Sequence, residues 1–449
     1  MSINVSFSDY SPPEPPKGTI SLNIGIFFDG TLNNKNNTQE KLNNSEHFKK
    51  NGVDKKQSSS YYNDKSNVAR LWEFYEEPHK IYVEGIGTED REEDSTMGFA
   101  FGTGDTGIRG KVRKGCERIS DIVKQEKDNG KASKINVLTF DVYGFSRGAA
   151  AARNFVHEIS KAKYKARVKT IRRGKSTITQ KSDSDGKVTQ RDDFPRRGHL
   201  GLQLEEKGIE VDIVRVRFLG IYDTVSSYSK YFSVSPNFND VEELGLNDIG
   251  AASNVVHYVA ANEHRENFSL TNTNIGIQKS FPGVHSDIGG SYYDGVEVIK
   301  EIETSWGKNT SLDPLRERLV NEGWYKSDQL EITGGNLYWA LQGTRDLKKT
   351  YSYIPLHFMG ESCVNKQVKM NKAKLENAYK MSDNPLLVRV KEKLRGYVFG
   401  DEKEYLLDNS LSPVERADLL KLRNEYLHWS AKREGIGMDP NSDRNRVYY

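Results

Sequence analysis

Cysteine is scarce in this chain, with Cys116 and Cys363 the two among 449 residues. Two thiols cannot make a disulfide framework or a cysteine-based zinc site, and no HExxH pattern is there. The stretch 183–186 begins like a calcium loop but lacks the remaining ligands and the terminal Glu, which is more typical of a turn. We therefore expect no metal and no cofactor, with a calcium requirement left open but supported by no motif.

Long apolar runs are also missing, so no segment is expected to span a membrane. Residues 1–18 have no basic start and no apolar stretch but carry four prolines, which predicts a polar extended tail and no signal peptide. We expect synthesis in the cytoplasm and, if the protein acts outside its cell, export by a route other than the general secretory one.

The charge is nearly balanced, with 66 Lys and Arg against 63 Asp and Glu and a net charge of +3. So small an excess gives no general attraction to nucleic acid, and no nucleic-acid partner is expected. The 23 Tyr, 18 Phe and 5 Trp are enough for a large core, which argues against a disordered chain.

Strand and helix patterns alternate through the first half of the chain. Apolar runs at 20–28, 80–84, 134–143 and 213–221 are typical of buried strands, and helical spacing at 67–75 and 112–124 falls between them. This alternation predicts an α/β fold: an α/β-hydrolase-like, mostly parallel sheet with helices on both faces.

Residues 161–197 interrupt that rhythm with 13 Lys and Arg against 4 Asp and Glu, a net charge of +9. We interpret them as an inserted loop that either contacts anionic phospholipid headgroups or is simply solvated; nucleic-acid binding ranks third, because aromatic residues are nearly absent.

A capping box at Ser412 with Pro413 predicts a helix running toward Trp429. The predicted division is a tail (1–18), a catalytic domain (19–360) with the basic insertion, and a helical C-terminal cap (361–449) packed on the core.

Gly144-Phe145-Ser146-Arg147-Gly148 fits the G-x-S-x-G pattern. The pattern alone is weak, but here the strongest predicted strand enters it and a run of good helix formers leaves it. That is the setting of a nucleophile elbow, in which the serine occupies a strained turn. Ser146 is therefore the candidate nucleophile. The N–H of Arg147, at the start of the helix, is a candidate donor to an oxyanion. The alternative is an ordinary strand–loop–helix with an incidental serine.

A serine nucleophile needs a histidine base, which in elbow enzymes follows it in the chain. His285 lies in a loop rich in glycine and proline, which suits a catalytic side chain. His257 and His264 fall in a predicted helix over 254–266, and His428 lies among aromatic residues, which favours packing. His285 is the candidate base.

The base in turn needs a carboxylate to hold its tautomer. Asp223 ends a predicted strand, at the position where active-site carboxylates of doubly wound sheets lie. Asp287 is the alternative, but it is so close to His285 in the chain that its carboxylate has little freedom to reach the ring. We expect Asp223.

Asp29-Gly30-Thr31 closes the first predicted strand and should lie at the same edge of the sheet as Ser146. In elbow enzymes a second oxyanion donor comes from such an early loop, so a backbone N–H near Gly30 or Thr31 is one hypothesis. The other is that Asp29 only caps its own turn. The sequence does not separate the two.

Four blocks of the chain together resemble a known family. They are GIFFDGTLNN at 25–34, GFSRGA at 144–149, GIYDTV at 220–225 and FPGVHSDIGG at 281–290. They are similar to the signature blocks of the α/β-hydrolase-type phospholipase effectors of bacterial type VI secretion systems, the Tle lipases. The similarity spans about 20–293, with weaker similarity at 353–359 and 426–430.

By matching blocks, the resemblance implies that Ser146 is the nucleophile, Asp223 the orienting acid and His285 the base. It further implies hydrolysis of membrane phospholipid in rival cells, delivery to their periplasm or membrane, a cognate immunity protein, and a secretion spike or adaptor as partner. From the residues alone, two alternatives remain: an esterase or lipase acting on small soluble esters, and a nonenzymatic secreted binding module.

Overall fold

The computed structural model describes residues 16–52, 59–94, 107–173, 176–226, 238–335, 337–435 and 437–449. Most of the predicted tail, residues 1–15, lies outside the described residues. Within these ranges, no helix has both the length and the apolar character that crossing a membrane requires.

In chain order the strands are β1 (Thr19–Phe28), β2 (His79–Val83), β3 (Lys134–Phe145), β4 (Tyr164–Lys165), β5 (Arg167–Arg173), β6 (Ser176–Ser182), β7 (Val188–Thr189), β8 (Asp193–Phe194), β9 (Val211–Tyr222), β10 (Val255–Ala260), β11 (Ile277–Phe281), β12 (Gly295–Trp306), β13 (Leu330–Gly335) and β14 (Tyr338–Leu347). The α-helices are α1 (Lys35–Leu42), α2 (Glu46–Asn51), α3 (Asn67–Phe74), α4 (Ile108–Asn129), α5 (Arg147–Ser160), α6 (Gly198–Glu206), α7 (Phe238–Glu243), α8 (His285–Gly289), α9 (Asp313–Asn321), α10 (Tyr353–Asn365), α11 (Lys372–Ala378), α12 (Pro385–Phe399) and α13 (Pro413–Glu425).

A six-stranded sheet forms the centre of the fold, in the order β11-β10-β9-β3-β1-β2, and every neighbouring pair is parallel. Parallel neighbours require long crossover connections. α-Helices lie in each of them except the one from β10 to β11, which has a short 3-10 turn instead. The predicted α/β fold with a parallel sheet is confirmed.

The two faces of the sheet are covered by different helices, because successive strand side chains point to opposite sides. Val142 belongs to the core under α4, α5 and α6. Its neighbour Tyr143 faces the other way, into the core under α3 and α10, and stacks on Phe27 with ring centroids 4.4 Å apart. The prediction of helices on both faces is therefore confirmed.

The register of the sheet brings the predicted site residues to one edge. Phe28 pairs with Gly144, and Phe145 with Tyr222. The chain therefore leaves the sheet at Asp29, Ser146 and Asp223 along the same carboxyl edge, where ligands of parallel α/β sheets bind.

The prediction of a helix over 254–266 is wrong. Val255–Ala260 is strand β10, buried along its whole length, and a short 3-10 turn follows at Glu266–Phe268. The run is rich in β-branched and aromatic side chains, which fit a buried pleated strand better than a helix. The predicted basic loop also has more structure than expected, because β5, β6 and β7 form a small antiparallel sheet within it.

The capping box at Ser412 is confirmed: the Glu415 N–H donates to Ser412 Oγ at 3.3 Å, and the Ser412 N–H to Glu415 Oε2 at 2.9 Å. The helix ends at Glu425, short of Trp429. Beyond it, residues 437–449, here called the terminal segment, run along residues 264–272. Leu270 N–H donates to the Val447 carbonyl at 2.9 Å, and Tyr449 N–H to the Leu270 carbonyl at 2.8 Å. The division into tail, catalytic domain and cap stays a prediction.

Candidate active site

Ser146 lies at the point where β3 turns into α5. Its backbone has φ 59° and ψ −128°, a conformation that a residue with a side chain adopts only under strain. The turn requires glycine on both sides. A Cβ on Gly144 would lie 2.5 Å from the Gly148 carbonyl oxygen, and one on Gly148 would lie 2.2 Å from the Asp29 carbonyl oxygen. The local geometry is that of a nucleophile elbow.

The backbone of Ser146 is fixed to the end of β9. Its N–H donates to the Tyr222 carbonyl at 3.0 Å, and its carbonyl accepts from the Val225 N–H at 3.3 Å. These bonds place the elbow beside Asp223, the residue that follows β9.

Asp223 is fully buried and hydrogen-bonded to His285. Its Oδ2 lies 2.6 Å from His285 Nδ1, and its Oδ1 accepts from the Ala260 N–H at 2.8 Å. The structure therefore joins the predicted acid to the predicted base, although the two are far apart in sequence. A carboxylate on Nδ1 holds the proton there and leaves Nε2 as the basic nitrogen of the neutral ring.

His285 begins α8 and is packed between two aromatic rings. The ring centroids of Phe145 and Phe268 lie 4.6 and 5.0 Å from that of the imidazole. Burial lowers the pKa of His285 below its usual value, against the opposing effect of Asp223, so the neutral basic form is favoured. Among the described residues no hydrogen bond joins the imidazole to the Ser146 hydroxyl; contacts of this kind often form only with substrate bound.

Asp287, the rival acid, has another partner. Its Oδ1 lies 2.7 Å from His428 Nδ1, and its Oδ2 accepts from the N–H groups of Val284 and His428 at 2.9 and 3.1 Å. His428 does pack on an aromatic ring, that of Tyr292, with centroids 3.6 Å apart. It also forms a second histidine–carboxylate pair, which its neighbouring aromatics did not reveal.

The loop after β1 touches the elbow. Asp29 caps its own turn, because its Oδ1 accepts from the Gly30 N–H at 2.7 Å, and its Oδ2 accepts from Tyr82 Oη at 2.6 Å. Arg147 Nε donates to Thr31 Oγ1 at 2.7 Å, which ties the loop to the start of α5. Since Asp29 occupies the Gly30 N–H, Thr31 is the better placed of the two candidates for a second oxyanion donor.

A buried arginine that the sequence did not single out completes the surroundings of Asp223. Arg446, on the terminal segment, places Nη1 2.7 Å from Asp223 Oδ1 and Nη2 2.8 Å from Oδ2. Burial alone would raise the pKa of Asp223, but the charge of Arg446 and the hydrogen bonds from His285 and Arg446 hold it well below its usual range. No motif surrounds this arginine, so only the folded chain reveals it.

Glu158, Asp185 and His199 form the acidic cluster that most resembles a metal site in the described part of the chain, with ligand atoms within 4.8 Å of one another. Cations already occupy these oxygens: Lys161 bonds to Glu158, and Arg113 Nη2 lies 3.3 Å from Asp185 Oδ2. The cluster is better explained as an ion-pair network than as a metal site.

The parallel sheet, the serine elbow on its carboxyl edge and the buried histidine–aspartate pair beside it define an α/β-hydrolase-like protein. Residues 23–310 match the family described as T6SS (type VI secretion system) phospholipase effector Tle1-like, catalytic domain. The match covers more than half of the chain, so the chain belongs to this family of type VI secretion phospholipase effectors, which are ester hydrolases.

Two solved structures are similar to this chain. The Tle1 effector bound to the VgrG spike from the type VI secretion system has a TM-score of 0.59 and 20% identity, over 100% of this chain and 97% of that one. An uncharacterized protein from Pseudomonas aeruginosa has a TM-score of 0.42 and 17% identity, over 86% of this chain and 51% of that one. No curated protein sequence gives a significant match.

Proposed function

We propose that the protein is an antibacterial phospholipase that hydrolyses acyl esters of membrane phospholipids through Ser146, His285 and Asp223. The observation that carries this proposal is the 2.6 Å bond between His285 Nδ1 and Asp223, next to a serine in elbow geometry. Family membership supplies the substrate class, because the family is one of phospholipase effectors.

In the proposed reaction, His285 Nε2 takes the proton of Ser146 as Oγ bonds to the ester carbonyl carbon. The oxyanion that forms accepts hydrogen bonds from the backbone N–H of Arg147 and, in our proposal, of Thr31. The C–O bond to the lysophospholipid then breaks, and His285 returns the proton to the departing oxygen. His285 then deprotonates a water that attacks the acyl carbon. The bond to Ser146 Oγ breaks, His285 returns the proton to Oγ, and the fatty acid leaves.

Every step of this mechanism uses a group of the chain itself, so we propose that it needs no cofactor. Neutral His285 is the reactive form, and burial keeps its pKa low enough for that form to dominate at neutral pH. Asp223 remains charged throughout and stabilises the imidazolium that forms in each half-reaction.

Delivery is the second part of the proposal. The similar Tle1 structure was solved bound to the VgrG spike, and we propose that this chain travels on a spike or adaptor protein of the same kind. A producer that makes such an enzyme needs protection, so we also propose a cognate immunity protein.

An assay on phospholipid vesicles tests the enzymatic proposal. The wild-type protein should release fatty acid from vesicles faster than it hydrolyses a short water-soluble ester, and Ser146→Ala should do neither. Ser226→Ala is the control: Ser226 is buried and follows Val225, whose N–H bonds to the Ser146 carbonyl, but it has no role in the mechanism. A strong preference for the soluble ester would favour the esterase alternative; a folded protein active on neither would favour the binding module.

A further inference from the structure

Arg446 forms its ion pair with Asp223, the same carboxylate that is hydrogen-bonded to His285. Both terminal nitrogens of its guanidinium bond to the two oxygens of Asp223, and the side chain is 1% exposed. Nη1 also donates to the Ala260 carbonyl at 3.1 Å, and Nε to the Phe268 carbonyl at 3.0 Å. The planar guanidinium is therefore fixed at all three nitrogens, in the bidentate geometry that gives the strongest carboxylate pairing.

The two carboxylate oxygens of Asp223 have different sets of hydrogen-bond partners. Oδ1 accepts from the Ala260 N–H and from Arg446 Nη1, while Oδ2 is shared between Arg446 Nη2 and the imidazole of His285. Removing the arginine would leave one oxygen with a single backbone donor and the other with His285 alone. The carboxylate would then lose both its permanent counter-charge and the two bonds that fix its plane.

The other carboxylates around His285 have partners of their own. Glu263 Oε2, which accepts the His285 backbone N–H at 3.3 Å, is paired with Arg265 Nη2 at 2.8 Å. Asp223, Arg265 and Glu263 have the largest electrostatic effects on the imidazole. Further out, His257 and Arg446 interact with Asp223, and His428 with Asp287. Arg446 is the one among them that neutralises Asp223.

We propose that Arg446 is a positioning residue of the active site, which holds the Asp223 carboxylate ionised and in plane with His285 and limits the negative charge that the imidazole experiences. This inference rests on the proposed function, in which His285 is the base. It assigns to the terminal segment a part in catalysis, although Arg446 itself touches neither the substrate nor the reacting atoms.

The sign of the expected effect follows from the charges. Without Arg446 the surroundings of His285 become more negative, which favours the imidazolium and raises the pKa of the base. The acid limb of the kcat/KM profile then moves to higher pH, since a larger fraction of His285 is protonated at a given pH. A residue that only anchored the terminal segment would lower stability without moving that limb.

Three variants test the proposal on hydrolysis of p-nitrophenyl butyrate across pH. Arg446→Gln should lower kcat roughly 10- to 100-fold, the loss expected from a misplaced catalytic group, and shift the acid limb upward. Arg446→Lys keeps the positive charge but loses the bidentate geometry of the guanidinium. The acid limb of its pH profile should therefore stay near that of the wild type, while kcat falls several-fold. Arg444→Gln is the control: Arg444 lies on the same segment and bonds to Glu303 at 2.6 Å, and its loss should change neither quantity.

A titration of His285 followed by NMR separates this proposal from the proposed function. In the Ser146→Ala background, adding Arg446→Gln should raise the pKa of His285, whether or not the wild-type protein hydrolyses esters. An unchanged His285 titration in the folded protein would overturn the proposal. If Arg446→Gln does not fold, Arg446→Lys decides, because wild-type kcat in that variant would equally overturn it. If the wild-type protein is inactive on every ester but the pKa of His285 rises in Arg446→Gln as expected, the result contradicts the proposed function and leaves the role of Arg446 standing.

Discussion

Two histidine–carboxylate pairs lie close together in this molecule, and their carboxylates have different further partners. Asp223 joins His285 to a buried arginine, whereas Asp287 joins His428 to the backbone of the loop that carries His285. Burial raises the pKa of Asp287, whereas the charge of Arg446 helps to lower the pKa of Asp223. The Asp223 carboxylate is therefore the better suited to remain charged opposite an imidazolium.

This difference predicts unequal effects of removing one negative charge from each pair. Asp223→Asn should lower kcat by roughly 10³- to 10⁴-fold with the fold retained, because the amide no longer holds the reactive tautomer. Asp287→Asn, the matched control, should cost stability more than turnover. For each variant, kcat is measured on a soluble ester and the free energy of unfolding is measured by urea denaturation. Equal losses of kcat would contradict the assignment of Asp223 as the orienting acid.

The residues of the candidate site differ in whether a local sequence pattern marks them. Ser146, Asp223 and His285 could be proposed as site residues from the sequence because each follows or interrupts a recognisable local pattern. Arg446 belongs to no motif, and it reaches Asp223 only because the terminal segment folds back across residues 264–272. A contact made by a lone side chain over such a distance in sequence leaves no local signal.

At the scale of elements, the elbow depends on the close approach of α5 to the loop after β1. Gly148→Ala would place a Cβ against the backbone of Phe28 and Asp29, at 2.4 and 2.2 Å from their carbonyl oxygens. We expect it to lower the free energy of unfolding by about 2–3 kcal/mol or more and to reduce activity, since main-chain atoms cannot move aside as a flexible side chain can.

Gly360→Ala is the control for this substitution. Gly360 lies within helix α10, where a Cβ would be 3.6 Å from Leu375 Cδ1, an ordinary contact. Alanine there should stabilise the protein by up to about 1 kcal/mol, because it reduces the conformational freedom of the unfolded chain. Urea denaturation measures both changes. A Gly148→Ala protein as stable as Gly360→Ala would show that the elbow tolerates a side chain.

The elements themselves were predictable where the pattern was strong. The strands at 134–143 and 213–221 were found nearly to their ends, and the capping box located the start of α13. Strand β10 was mistaken for a helix because a short apolar run fits either periodicity, and the tertiary setting between β9 and β11 decided the outcome. The antiparallel sheet of β12, β14 and β13 was not foreseen.

At the scale of the whole molecule, the site draws on regions that lie far apart along the chain. The candidate nucleophile follows β3 of the central sheet, the candidate base begins α8 after β11, and the arginine on Asp223 comes from the terminal segment. The matched family region ends at residue 310, so Arg446 and His428 lie outside it. The candidate active site therefore includes contacts from residues beyond the matched family region.

Antibacterial action is tested on the complete chain directed to the periplasm of a test bacterium by an added export signal. Wild-type protein should arrest growth and disrupt the envelope, because its substrate is exposed there, and Ser146→Ala should be harmless at the same abundance. The same protein kept in the cytoplasm provides the comparison of compartments. Toxicity undiminished by Ser146→Ala would place the harmful activity elsewhere in the molecule.

The most direct test of the central claim is to label the folded protein with a fluorophosphonate and locate the adduct by mass spectrometry. We predict a single adduct on Ser146, formed much more slowly in His285→Gln and not at all in Ser146→Ala. A folded wild-type protein that stays unlabelled, or one labelled equally after Ser146→Ala, would contradict the claim that Ser146 is a nucleophile activated by His285.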